Sequence, residues 1–254
     1  VKEVKESGGR IAAFFDLDGT LAAGPSLEQR FFRLLRDQRV IPMMNYFFWL
    51  SEALHLAPRG IRAMRYANKM YLRRVPPDAV ERQADGISFF AEAVERLAWH
   101  AKEGHEIVIV SGTLETLARE AARQLQEELE ARGIAAILHV RATRLGEKTG
   151  RWTGQILGEA MIGEAKSHAV KLLAAETGIN LARSYAYGDS AMDRWLLAAV
   201  GQPVAVNPSK ELLRLAQRRN WAVMVWEKRG EEESRQSSQR ARRSKRRSGK
   251  REVA

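Results

Sequence analysis

The sequence predicts an α/β protein whose core is a doubly wound parallel sheet, with a small helical-bundle cap inserted after the first strand. Three observations carry this expectation. Short apolar runs alternate with helical stretches along most of the chain, the order that builds a parallel sheet covered on both faces. Several of these runs stop at clusters of Asp, Ser and Gly, residues that end strands in loops. Between the first run and the second lies a long stretch of helical periodicity.

Ile11 to Phe15 is an apolar run that stops at Asp16, and Asp18-Gly19-Thr20 supplies turn residues, so a buried strand ends there. From Ser26 to about Arg74, Leu27, Phe31, Phe32, Leu34 and Leu35, then Leu50, Leu54, Ile61, Met64 and Met70, recur at three- and four-residue intervals. Pro25, Pro42, Pro58 and the pair Pro76-Pro77 punctuate this stretch into several helices. A further helix is expected from Ala79 to Lys102, broken near Asp85-Gly86. Residues 106–110 form a β-branched run suited to a strand buried on both faces, ending at Ser111-Gly112-Thr113. A helix from Leu114 to Arg132, closed by Gly133, a strand from Ala135 to Arg141, and a hairpin over Thr149 to Ile156 follow. Glu164 to Thr177 reads as a helix ended by Gly178, Ser184 to Tyr187 as a strand, and Met192 to Val200 as a helix. Val204 to Val206 and Ala222 to Trp226 complete the strands, with a helix from Ser209 to Arg219 between them. The chain thus divides into a Rossmann-like core (residues 1–21 and 91–228), a helical cap (residues 22–90) and a basic tail (residues 229–254).

Composition narrows the function. The 254 residues carry 42 Lys and Arg against 31 Asp and Glu, a net charge of +11, with 45% hydrophobic residues and no Cys. Without Cys there is no disulfide framework, thiolate zinc site or thiol nucleophile. The five His show no paired spacing on one helix face and read as surface or partly buried structural groups. Residues 234–254 hold nine basic residues and one acidic residue, with almost nothing to pack. That composition predicts a disordered appendage able to hold a polyanion, nucleic acid or an anionic membrane, by salt-sensitive attraction. The charged N-terminal segment is not expected to be a signal peptide, and no apolar run approaches the roughly 18–20 residues that span a bilayer. A cytoplasmic protein is expected, with membrane contact limited to the periphery.

In open α/β sheets, ligands bind beyond the carboxyl ends of the strands. Parallel strands would bring three polar clusters to one edge: Asp16 to Thr20, Ser111 to Thr113, and Gly188 to Asp193. Asp16, Asp18, Asp189 and Asp193 crowded together would repel one another unless a cation neutralised them or solvent dispersed them, and a hard divalent ion with oxygen ligands, Mg²⁺, is the natural occupant. Ser111 and the amides after it suit phosphate oxygens at a helix start.

On these residues the chain resembles the haloacid dehalogenase superfamily, in particular its phosphoserine-phosphatase-like branch. The resemblance runs over about residues 11–226 through four motifs in order: FFDLDGTL from Phe14 to Leu21, IVSGT from Ile109 to Thr113, Lys166 in GEAKSHAV, and YGDSAMD from Tyr187 to Asp193. It implies that Asp16 is the nucleophile forming an aspartyl-phosphate, and that Asp18 is the general acid and then the base. Thr20 would position Asp18 and its loop and is grouped with the phosphate-binding residues. Ser111, the Gly112 amide and Lys166 would neutralise phosphoryl oxygens. Asp16, the Asp18 carbonyl and Asp189 would hold Mg²⁺, while Asp193 acts through metal-bound water or by orienting Lys166. Lys166 is preferred over Lys171, which reads as a surface residue.

Two departures bear on the substrate. Where phosphoserine phosphatases place a glutamate against the substrate ammonium, this chain has Ala22 to Ser26, and Glu28 comes three residues late. Met192 stands where that branch has an asparagine near the phosphate. The expected activity is a Mg²⁺-dependent phosphomonoesterase acting on a phosphorylated small molecule or a lysolipid-like one. A phosphoserine phosphatase, with Glu28, Arg62 or Arg65 supplying the missing contact, is the alternative. From a different class, an inactive phosphate-binding domain with a polyanion-binding tail stays open. The aromatic stretch from Pro42 to Leu50 reads first as bundle core, and otherwise as an apolar substrate wall or a membrane-facing surface.

Overall fold

The computed structural model describes residues 9–59, 67–80 and 86–227. The expectations for the tail and for Arg62 and Arg65 lie outside the described residues. Six parallel strands form the central sheet in the order β3-β2-β1-β6-β7-β8. They are β1 (Ala12–Phe15), β2 (Glu106–Leu114), β3 (Leu138–Thr143), β6 (Tyr185–Gly188), β7 (Gln202–Val206) and β8 (Ala222–Met224). The chain starts in the middle of the sheet, runs outward through β2 and β3, then crosses back to β6 beside β1. The crossover point between β1 and its two neighbours is where such sheets bind ligands.

The two-residue period of the strands divides the interior into two layers. Ala13, Phe15, Ile107 and Ile109 face one side, packed with helices α3 (Ala91–Lys102) and α4 (Glu115–Ala131) through Val94, Leu97, Ala121 and Leu125. Ala12, Phe14, Val108 and Val110 face the other, packed with α5 (Glu164–Thr177), the short α6 (Arg194–Leu197) and α7 (Lys210–Arg219). Every residue of β1 is fully buried, which explains why it reads as a continuous apolar run.

Several boundaries differ from expectation for identifiable reasons. The helix expected from Ala79 begins only at Ala91, because residues 88–90 return in extended form beside the segment that leaves β1. Ala23 N–H donates to the Ser88 carbonyl at 2.8 Å and Phe90 N–H to that of Leu21 at 3.1 Å. The insert therefore enters and leaves the core at adjacent points. The helix expected over Met192 to Val200 is a short 3-10 turn at Ala191–Asp193 followed by the four residues of α6. β4 (Leu145–Lys148) and β5 (Arg151–Ile156) form a separate antiparallel hairpin. It docks on the insert through reciprocal Trp152 and Val75/Arg74 main-chain bonds and an edge contact of Trp152 with Phe31.

The insert holds α1 (Leu27–Asp37) and α2 (Met43–Leu56), followed by 3-10 turns at Ala57–Arg59, Met70–Leu72 and Pro77–Ala79. Helix α1 buries Leu27, Phe31 and Leu35 and is capped by Ser26. Helix α2 overturns the bundle-core reading of its aromatic stretch. Met43 is 83% exposed, Phe47 65%, Leu50 52% and Leu54 66%, whereas the one buried residue is Asn45. The Asn45 amide donates to the main-chain carbonyls of Tyr71 and Arg73 at 3.1 and 2.6 Å. A helix apolar on nearly every side gives no clue to its packed face; here the side able to satisfy two buried carbonyls turned inward.

The expectation for the histidines also needs correcting. His100 is fully buried, with its Nε2 2.9 Å from the Tyr187 hydroxyl and its Nδ1 2.8 Å from Nδ1 of His105. Two facing nitrogens can share one proton and no more. Burial, reinforced by His105, pushes the His100 pKa down to about 3. An unfolded histidine titrates near 6.5, so between those values the unfolded chain binds a proton that the folded chain refuses. The His100 contribution is therefore intact above pH 6.5 and is lost as the pH falls below it. In urea denaturation, the stability advantage of wild type over His100→Gln should shrink by about 2 kcal/mol between pH 7 and pH 5. An unchanged gap would show that His100 is protonated in the fold.

Candidate active site

The carboxyl end of β1 delivers Asp16 into the interior, where it is 6% exposed and its N–H donates to the Tyr187 carbonyl at 2.9 Å. Lys166 arrives from the first turn of α5 and is as deeply buried. Its Nζ donates to Asp16 Oδ1 at 2.5 Å and to Asp193 Oδ1 at 2.6 Å. The other Asp193 oxygen accepts from the N–H and hydroxyl of Ser190 at 3.0 and 2.8 Å, closing a capping box over the 3-10 turn. Gly188 allows this: a Cβ there would lie 2.5 Å from Cβ of Asp193. Lys171, as expected, is exposed on the same helix.

Asp18 is turned away from this group. Its Oδ1 accepts from the N–H of Leu27 at 2.7 Å, at the start of α1, so the cap fixes its orientation. The loop between is tight, with the Leu17 carbonyl accepting from residues 20, 21 and 22. Gly19 sits in it at φ +84°, and a Cβ there would be 2.4 Å from Asp189 Oδ2. The same turn draws Thr20 completely inside. Its hydroxyl has no partner among the described residues, and it forms no part of the cavity wall. Thr20, grouped by the resemblance with the phosphate-binding residues, is thus buried beneath the loop and outside the cavity wall.

The segment Ser111 to Thr113 also differs from expectation. It does not sit at the helix start but within β2, which runs on to Leu114 with a register irregularity between Ser111 and Leu114 before α4 begins. The Ser111 hydroxyl accepts from Thr113 N–H at 3.2 Å, and the Gly112 carbonyl accepts from the Thr143 hydroxyl at 2.8 Å. This bulge holds Ser111 and Gly112 in the wall of the cavity.

That cavity has a volume of about 670 Å³ and brings together Asp16, Asp18, Ser111, Gly112, Lys166, Asp189 and Asp193. Its outer wall comes from the cap: Phe32, Arg33 and Arg36 of α1, Trp49 of α2, and Asn68, Lys69 and Tyr71 beyond it. Glu28 lines it too, held by Lys69 Nζ at 2.8 Å and the Tyr71 hydroxyl at 2.6 Å. Apart from Glu28, and Trp49 in the aromatic stretch read alternatively as an apolar substrate wall, sequence reasoning did not single out these residues for the cavity, because helical periodicity locates a helix without saying what its polar side faces.

Charge in the site is unbalanced. Burial raises the Asp16 carboxyl well above the ordinary range; Lys166 opposes this, while Asp193 and Asp189 push it further up. Burial and then Asp193 push Asp189 up to about 7, and burial pushes Asp18 up to about 6 against the Leu27 N–H. Lys166 would be lowered by burial alone, but Asp16 and Asp193 outweigh that and hold it above its usual value. One ammonium group does not satisfy this many carboxylates. Oxygens of Asp16, Asp189 and Asp193 lie within 4.8 Å of one another, an all-oxygen donor set of the kind hard divalent cations take. Both Asp193 oxygens and one Asp16 oxygen already meet protein donors.

Residues 13–198 match the family model for haloacid dehalogenase-like hydrolases. A probable phosphatase of Mycobacterium tuberculosis is 32% identical over 228 residues, covering 85% of this chain and 75% of the relative. A phosphoserine phosphatase of the same organism is 29% identical over 229 residues, covering 84% and 70%. Among solved structures, a protein of unknown function from Bordetella pertussis superposes with a TM-score of 0.65 at 29% identity, covering 85% of this chain and 98% of that one.

Proposed function

Because the chain belongs to the haloacid dehalogenase-like hydrolases, we propose that it is a Mg²⁺-dependent phosphomonoesterase working through an aspartyl-phosphate on Asp16. The observation that carries this reading is the division of labour among four carboxylates, two buried and two half-buried. Asp16 and Asp193 share Lys166, Asp189 stands beside them, and Asp18 is held apart by the cap with a pKa of about 6.

In this mechanism the Asp16 carboxylate attacks phosphorus as the bond to the leaving oxygen breaks, and Asp18 gives that oxygen its proton. Asp18, now ionised, takes a proton from the water that attacks the phosphorus of the aspartyl-phosphate, releasing phosphate and restoring Asp16. Lys166, Ser111 and the Gly112 amide meet the phosphoryl oxygens as charge moves onto them. Asp193 positions Lys166. Asp16, Asp189 and the Asp18 carbonyl would hold Mg²⁺, which when bound lessens the repulsion between the carboxylate and its anionic substrate.

The substrate is a phosphorylated small molecule, including lysolipid-like ones, that reaches into a cavity with Arg33, Arg36 and Lys69 in its outer wall. A phosphoserine phosphatase is the second reading, favoured by the name of one relative and by Glu28 reaching the cavity. Against it, the Glu28 charge is already met by Lys69, leaving little for a substrate ammonium. The test is a panel of phosphomonoesters including phosphoserine and lysophosphatidic acid. Phosphate release is expected with Mg²⁺, none with EDTA, and recovery on adding Mg²⁺ back. Phosphoserine should not give the highest kcat/KM; if it does, the second reading replaces the first. Full turnover in EDTA would overturn the metal assignment.

A further inference from the structure

We propose that the exposed face of α2 docks the protein on an anionic lipid surface. Met43, Phe47, Leu50 and Leu54 recur at intervals of four, three and four residues, so they form one stripe along the helix. All four are exposed, as is Met44 beside Met43. The stripe contains no charge: the only acidic residue of α2, Glu52, accepts from the N–H and side-chain amide of Asn68 at 3.0 and 2.8 Å. An uncharged helical stripe of this size laid open to water is the signature of a surface that binds.

Charge selects the partner. Residues 27–75 contain ten Arg and Lys against three Asp and Glu. The acids Glu28 and Asp37 are paired with Lys69 and Arg36, and Glu52 with Asn68. Arg33, Arg36 and Arg39 are exposed on the segment leading into α2. On the other side, the Arg73 guanidinium lies 5.0 Å above the ring of Phe48, and with Arg74, Lys148 and Arg151 it lines a surface cavity that contains no acidic residue. A second copy docking on this stripe would bring one arginine-rich segment against another. An anionic bilayer would receive the apolar stripe and attract the surrounding basic segment together. No described helix is long and apolar enough to cross a membrane, so α2 would lie in the interface. Trp49, on the same helix but off the stripe, lines the active-site cavity.

The experiment is vesicle flotation of the full chain with phosphatidylglycerol or phosphatidylcholine vesicles, comparing wild type with the double variant Phe47→Ser/Leu54→Ser. Neither substituted residue lines the cavity, so hydrolysis of p-nitrophenyl phosphate reports that the variant is folded. Wild type should float with phosphatidylglycerol and far less with phosphatidylcholine. The double variant should lose about tenfold or more of that binding. The basic tail attracts anionic vesicles by charge alone, so the comparison is repeated at about 0.5 M NaCl, where that attraction is screened and the apolar contribution persists. Equal flotation of variant and wild type at both salts would overturn the proposal, since the tail would then account for all binding. A wild-type dimer in sedimentation velocity that the double variant abolishes would also overturn it, making the stripe a self-interface.

Discussion

Asp16→Asn is expected to lower kcat by about 10⁴-fold or more, measured as phosphate release with saturating Mg²⁺. The amide is nearly isosteric but is too poor a nucleophile to form an acyl phosphate. The same substitution should leave the fold sound, for a reason visible in the site. The Asp16 carboxyl is raised well above its ordinary range by burial and by Asp193 and Asp189, so its ionised form is a cost to the folded state at neutral pH. Removing that charge relieves the cost, and the Tm in EDTA should not fall. A variant that retains even a few per cent of wild-type turnover would end the assignment of Asp16 as nucleophile.

Lys166→Met should harm both activity and stability. Lys166 is the cation between two buried carboxylates, and a buried charge pair that loses one partner typically costs about 3–5 kcal/mol. The penalty should depend on pH in a definite direction. Without the ammonium, burial and the neighbouring carboxylates leave Asp16 titrating at higher pH in the folded chain than in the unfolded one, so folding gains from protonation and stability is lost as pH rises. The variant should therefore be further below wild type at pH 8 than at pH 5.5 in urea denaturation, and Mg²⁺ should recover part of the difference at pH 8. Its kcat should fall by about 10³-fold, the scale of losing a preorganised charge at the transition state. Lys171→Met, five residues along on the exposed side of the same helix, should change neither quantity. Equal effects of the two substitutions would sink the positioning of Lys166.

How much of this was legible in the sequence depended on whether local chemistry or tertiary packing decided each feature. β1 and α5 read almost to the residue because their signals are local: an apolar run ending in Asp16, and a helix stopped by Gly178 in the left-handed conformation. α7 was equally clear, with Ser209 as its cap. The extension of β2 through Ser111 to Leu114 was not legible, since a strand bulge and a helix start share small polar residues. In the site, Asp16, Asp18, Asp189 and Asp193 were brought together because strand ends in a parallel sheet converge whatever their separation in sequence, whereas Lys166, on α5, came only from the family resemblance. The inward position of Thr20 follows from three amides meeting one carbonyl, a detail no residue pattern encodes. The exposure of α2 was invisible for the opposite reason: its pattern is apolar on too many sides to choose one.

The central place of β1 governs when activity can arise during synthesis. Asp16 and Lys166 are 150 residues apart, and the Ala12 N–H that anchors the strand donates to a serine 172 residues later. During synthesis β1 can pair with β2 on one side, but its other side stays open until β6 is translated. Loop-closure entropy over such distances makes this docking late and slow. A fragment ending before residue 185 would therefore hold Asp16, Asp18, Ser111 and Lys166 yet lack one flank of the strand that presents Asp16. Such fragments should be inert and prone to association, the open edge of β1 being their adhesive side.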